Sequence, residues 1–123
     1  MIVLPIKKKW FDMIVSGEKK EEYREIKPYY DKRLGAYSVG TGKIINVVFR
    51  NGYKYNSPAI RCRCAVTLGP GIKEWGAEPG IDYYVLKILK ILEVRNNGWK
   101  WLYRIANSFS KTSSSCDERN GGP

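Results

Sequence analysis

Three side chains able to hold or exchange charge fall within six residues. They are Lys19, Glu22 and Arg24, in the run Ser16-Gly17-Glu18-Lys19-Lys20-Glu21-Glu22-Tyr23-Arg24. On an extended chain Glu22 and Arg24 are two apart and project to the same side. Lys19 has the opposite parity on an unbroken strand, but its long stem reaches the same hollow if the strand begins after it. Two cations would then surround one carboxylate and leave positive charge for a phosphate or a polar base edge. The competing reading is an exposed Lys-Glu-Arg ladder, worth about a few tenths of a kcal/mol per pair.

A second set of candidates lies downstream. Between Asp31 and Glu74 there is no acidic residue, while Lys32, Arg33, Lys43, Arg50, Lys54, Arg61, Arg63 and Lys73 all fall in that gap, with Tyr37, Tyr53 and Tyr55 among them. Single-stranded polynucleotides place phosphates on cations and unstacked bases on aromatic faces. Arg50, Tyr53, Arg61 and Arg63 are therefore candidate RNA contacts beside Lys19, Glu22 and Arg24. The alternative is a set of tyrosines half-buried in a barrel wall among ordinary surface cations.

Other chemistry is excluded by what the chain lacks. It has no histidine, so Ser-His-Asp, Cys-His and His-metal constellations are ruled out. Cys62 and Cys64 are two apart and Cys116 stands in a polar stretch, without a Cys-x-x-Cys pair. No zinc site follows, no metal or other cofactor is expected, and Cys62 and Cys64 read as small core residues on one face of a strand. With 22 Lys and Arg against 12 Asp and Glu, the formal charge of +10 points to a polyanionic partner. No window approaches the roughly 18 apolar residues of a membrane span. The first residues run apolar and then basic, the reverse of a signal peptide. A reducing cytoplasmic location is the expectation.

The elements that must position these groups are legible in outline. A chain of 123 residues, 43% of them hydrophobic, suffices for one packed domain. Residues 2–6 read as a strand. Over residues 7–16, Trp10, Met13 and Ile14 recur at helical spacing beside Phe11 and Val15, and Gly17 stands where a left-handed cap is wanted. That aromatic stripe reads as core. The charged run after Gly17 is either a solvated second helix or a turn followed by a strand from Glu21. The strand is favoured, because the apolar period of the helix stops at Gly17. Residues 28–34 suit a short helix with Pro28 in its first turn, followed by a loop with Gly35, Gly40 and Gly42. Residues 43–49 read as a buried strand, and Asn51-Gly52 as a hairpin cue. Over residues 61–68, Arg61 and Arg63 alternate with Cys62, Cys64, Val66 and Leu68, the pattern of a half-buried strand. Residues 74–80 form a loop carrying Trp75. Residues 83–92 read as a strand with room for a bulge, since Lys87, Lys90 and Glu93 are spaced three apart. Trp99, Leu102, Tyr103, Ile105 and Ala106 suggest a short amphipathic helix, and the Ser-rich stretch beyond Asn107 is expected to be disordered.

The pattern Gly17-x-Lys19-x-x-Glu22-x-Arg24, following a helix, resembles the signature of the ASCH family, whose domains have a fold similar to the PUA domain. Arg50-Asn51-Gly52-Tyr53, Trp75-Gly76-Ala77-Glu78-Pro79-Gly80 and Tyr83-Tyr84-Val85-Leu86 also look like blocks of small phage and bacterial ASCH proteins. The resemblance covers residues 2–95. It implies an α+β, mainly β fold: a PUA-like β-barrel with one N-terminal helix and short additional helices. The expected organisation is a single domain over 1–107 and a polar tail over 108–123.

The resemblance also implies a cleft, between the first helix and the sheet, that takes RNA or a modified nucleoside. Some members are enzymes, either amidohydrolases acting on acylated cytidine or ribonucleases. In the amidohydrolase pattern the lysine is kept and a threonine nucleophile stands where this chain has Glu22. Lys19 is thus a candidate general base. Glu22 departs from the pattern, and a carboxylate is a poor substitute for a hydroxyl that must form an acyl intermediate. Glu74 is a candidate second carboxylate. The expectation is an RNA-binding module taking single-stranded RNA or a nucleotide. A small ribonuclease or deacylase, with Lys19 and Glu22 catalytic and a tyrosine assisting in acid-base work, is the alternative.

Overall fold

The computed structural model describes residues 1–38 and 43–95. Gly40, Gly42, the helix expected over 99–106 and the tail expected over 108–123 lie outside the described residues. In chain order the elements are β1 (Ile2–Pro5), α1 (Lys8–Val15), β2 (Glu21–Glu25), α2 (Pro28–Leu34), β3 (Ile44–Arg50), β4 (Ala59–Pro70) and β5 (Asp82–Arg95). Two 3-10 turns, Gly35–Tyr37 and Lys73–Trp75, complete them. The strands form one sheet in the order β1-β3-β4-β5-β2. β1 runs parallel to β3 and every other pairing is antiparallel. The expected α+β, mainly β class is met, and the sheet curls into a half-barrel with β1 and β2 as its edges.

The inner face of the curl carries the core. Leu4, Phe49, Ile60, Cys62, Cys64, Leu86 and Val94 are buried there with Phe11 and Ile14 of α1 and Leu34 of α2. The two cysteines are free thiols in that core, and burial pushes the Cys64 thiol from 9.0 up to about 12. Alternation along β4 holds for Cys62, Cys64 and Val66 but fails at Leu68, which is 50% exposed. Pairing with β3 ends at Ala65, so β4 runs on past its neighbour and Leu68 has less to pack against.

Strand β5 explains its own irregular spacing. It is longer than expected, and its register against β4 shifts between Arg61 and Cys62 and again between Arg63 and Cys64, passing over Leu92 and Leu89. Each bulge adds one residue to β5. Lys87, Lys90 and Glu93, three apart, therefore all lie opposite outward-facing positions of β4: Ala65, Arg63 and Arg61. A second correction concerns the Asn51-Gly52 cue. β3 and β4 do form an antiparallel hairpin, with Arg50 opposite Ala59, but an eight-residue loop, 51–58, joins them instead of a two-residue turn.

The exit from α1 sets up the rest. Phe11 and Ile14 anchor the helix, and Gly17 at φ 88° reverses the chain. The Gly17 and Lys19 amides bond back to the carbonyls of Ile14 at 3.0 Å and Met13 at 2.9 Å. The chain thus passes from helix to edge strand within a few residues, and the charged run is a turn and a strand. Pro28 opens α2 as expected, and the Tyr84 hydroxyl donates to Asp31 at 2.5 Å, tying α2 to β5.

Candidate functional site

The reversal at Gly17 carries Lys19 beneath the sheet edge, where its side chain is fully buried. Glu22 and Arg24, two apart on β2, both face inward opposite Leu86 and Tyr84. The Lys19 amine lies 3.1 Å from Glu22 Oε1, and Arg24 Nη1 donates to Glu22 Oε2. Lys19 also donates to the Trp75 carbonyl, and its Nζ sits 4.9 Å from the ring centroids of both Trp10 and Tyr23. Burial pushes the Lys19 amine below its ordinary 10.5, working against Glu22, which pulls it up; Arg24 adds to the lowering.

Arg24 does more than pair. Nη1 also donates to the Tyr23 carbonyl at 2.9 Å, and Nη2 donates to the carbonyl of Pro5 on β1 at 2.6 Å. One guanidinium therefore spans the two edges of the sheet, where the half-barrel curls upon itself. At that seam opens a cleft of about 520 Å3, a volume ordinary for small-ligand sites. Its charged lining consists of Lys7, Glu22 and Arg24, and its rings are Trp10, Tyr23, Tyr30, Tyr53 and Trp75. Including Lys19 behind the wall, three cations face one carboxylate.

The hydrogen bonds limit what this arrangement can do chemically. Lys19 is sealed from solvent, with its protons directed to Glu22 and Trp75, so its amine is not presented to the cleft as a base; the exposed amine on the lining is that of Lys7. The Tyr23 hydroxyl donates to Glu21 at 2.8 Å and accepts from the Ile72 amide at 2.9 Å, and burial pushes its phenol well above the usual range. Neither group is free for proton transfer. The cleft is equipped to hold a ligand that combines a flat ring with negative charge.

Of the residues singled out in the sequence, Lys19, Glu22, Arg24 and Tyr53 meet at this place. Arg50, Arg61 and Arg63 do not line the cleft. Arg61 and Arg63 alternate with Cys62 and Cys64; because the thiols fill the core, the guanidiniums must point to the outer face. There Arg61 lies 3.4 Å from Glu93, while Arg63 stands opposite Lys90. The acid-free stretch was a feature of chain order, since a neighbouring strand supplies a carboxylate. Arg50 ends β3, half-buried beside the loop, and Glu74 is exposed on the 3-10 turn away from the lining.

Other wall residues escaped the sequence reading. Trp10 was assigned to the core stripe and does pack, half-buried, against the core beside the buried Phe11 and Ile14, but it also lines the cleft. Trp75 was noted only as a loop aromatic. The adjoining Gly76 adopts φ 107°, and a Cβ there would stand 3.1 Å from the Trp10 ring, so a glycine lets the two tryptophan-bearing segments close together. A large aromatic in a glycine-rich loop was the available signal.

Comparison with known proteins returns no matching family model, no matching curated protein and no matching solved structure. Among the described residues no group of three Cys, Asp or Glu could hold a metal ion, and no helix is long and apolar enough to cross a membrane.

Proposed function

We propose that the seam cleft binds single-stranded RNA or a nucleotide, with a base against its aromatic wall and a phosphate at Lys7 and Arg24. On this reading the chain is an RNA-binding module of ASCH type on a PUA-like half-barrel. It works in the reducing cytoplasm, in keeping with the free thiols of Cys62 and Cys64. The observation that carries the proposal is the buried Lys19–Glu22–Arg24 cluster opening on a ring-lined hollow with excess positive charge. Stacking accepts any base, and cations accept the backbone, so neither requires a particular sequence. Binding without turnover is favoured over hydrolysis because Lys19 is sealed and the Tyr23 hydroxyl is engaged on both sides.

Tryptophan fluorescence, followed while single-stranded oligonucleotides are added, tests this directly. Affinity is expected to fall steeply between about 50 and 200 mM salt, as counterion release requires. A flat salt response, or no binding by homopolymers of any of the four bases, would contradict the proposal. Incubation with RNA and with acylated cytidine serves as the control for turnover, and product formed by the wild type but not by Lys19→Ala would replace binding with catalysis.

A further inference from the structure

We infer that the loop joining β3 to β4 is a second stacking subsite, for the nucleotide flanking the one in the cleft. Tyr55 is its platform and Arg95 its positioning residue. The inference rests on the cleft being an RNA site. The loop, residues 51–58, is built to hold one shape. The Asn51 amide donates to the Pro58 carbonyl at 2.8 Å, and Lys54 and Ser57 exchange two hydrogen bonds, each of 3.1 Å. Gly52 adopts φ 127°, and a Cβ there would fall 2.6 Å from Ser57 Oγ, so the turn admits only glycine. From below, the buried Arg95 at the end of β5 donates through Nη2 to the carbonyls of Tyr55 at 2.9 Å and Ser57 at 3.1 Å.

Despite this bracing, the crown presents Tyr53 at 86% and Tyr55 at 81% exposure. Two tyrosine rings held out on a braced loop are available for stacking, and their prior ordering lowers the entropy lost on binding. Tyr53 lines the cleft and Tyr55 does not. Two residues span at most about 7 Å, comparable to two base rises of about 3.4 Å along a strand. A base on Tyr55 would thus be continuous with one in the cleft. Lys54 stands exposed between the rings, and the sequence from 32 to 73 contains no carboxylate, so a phosphate passing over the crown meets no repulsion from the loop. The guanidinium of Arg95, 5.9 Å from the Tyr55 ring centroid, steadies that ring from behind.

The test compares AMP, CMP, GMP and UMP with the four corresponding homotrinucleotides by fluorescence titration. At least one trinucleotide is expected to bind about tenfold more tightly than its mononucleotide, the scale of one base–aromatic stack. Tyr55→Ala should abolish that gain and leave mononucleotide affinity unchanged, while Tyr55→Phe keeps it. Arg95→Met should reduce the gain with both tyrosines intact. If Tyr55→Ala leaves the trinucleotide gain intact, or weakens mononucleotide and trinucleotide equally, the subsite is refuted while the cleft stands. If no mononucleotide or trinucleotide binds, the cleft reading fails and the subsite with it. Unchanged RNA binding in Tyr55→Ala, joined to loss of a protein contact, would reassign the crown to a protein partner.

Discussion

Among the described residues, lysine, arginine and glutamate come together at the seam and again on the outer face of β4 and β5. At the seam the Lys19, Glu22 and Arg24 side chains are largely withdrawn from water and linked to Trp75, Tyr23 and Pro5 as well as to one another. On the outer face Arg61 and Glu93 stay partly exposed at 3.4 Å, and Arg63 lies opposite Lys90 with water to screen the like charges. The difference lies in desolvation, since a charge taken out of water must be matched by partners or it destabilises the fold. Of these two clusters, the one at the seam is the one withdrawn from water, and it borders a hollow that a ligand could enter.

The largest contrast should come from removing one member of each set. Glu22→Ala leaves the Lys19 amine buried without its carboxylate, so urea denaturation should show a loss of about 3–5 kcal/mol. A loss below about 1 kcal/mol would mean that the seam behaves like the surface. Next in size, Arg24→Ala removes both a phosphate partner and the bridge to β1, and RNA affinity should fall by about 1–3 kcal/mol as read by titration. Alternate residues of β4 set a third effect. The Cys62 and Cys64 thiols are raised by burial, so above pH 9 the unfolded chain loses their protons first and the folded chain keeps them. Stability should therefore fall between pH 9 and 12, by about 1 kcal/mol per pH unit for each affected thiol. Lys19, lowered by burial, acts in the opposite sense just below pH 10.5, while the Tyr23 phenol, raised by burial, adds to the decline above pH 10. Thermal melts of Cys64→Ala against pH should show a shallower decline than the wild type. Smallest of all, Arg61→Ala and Glu93→Ala should each shift stability by less than about 1 kcal/mol, and Arg63→Ala should lower RNA affinity only slightly and equally for all sequences.

Local rules were legible in the sequence where one residue decides the geometry. Gly17 ended α1, Pro28 opened α2, and the period-two positions Glu22 and Arg24 shared a face. The convergence of Lys19 could be anticipated because the reversal at Gly17 fixes where its stem begins. What depends on neighbouring strands was not legible. Glu93 meets Arg61 only through a register set by two bulges, and Trp75 reaches the site only because the turn of residues 73–75 folds back over β2. Arg50, Arg61 and Arg63 looked equivalent to Arg24 as letters in a chain, yet parity sent Arg61 and Arg63 to the opposite side of the sheet.

Binding at the seam and binding on the outer face can be separated by watching both faces at once. In a nitrogen-15 spectrum the indole N–H signals of Trp10 and Trp75, assigned through Trp10→Phe and Trp75→Phe, report on the cleft, and the Nε–H signals of Arg61 and Arg63 report on the outer face. Addition of single-stranded RNA should move both indole signals along a saturable curve and leave the two arginine signals nearly in place. Arginine signals that move while the indoles stay fixed would place the RNA on the outer face and contradict a cleft at the seam.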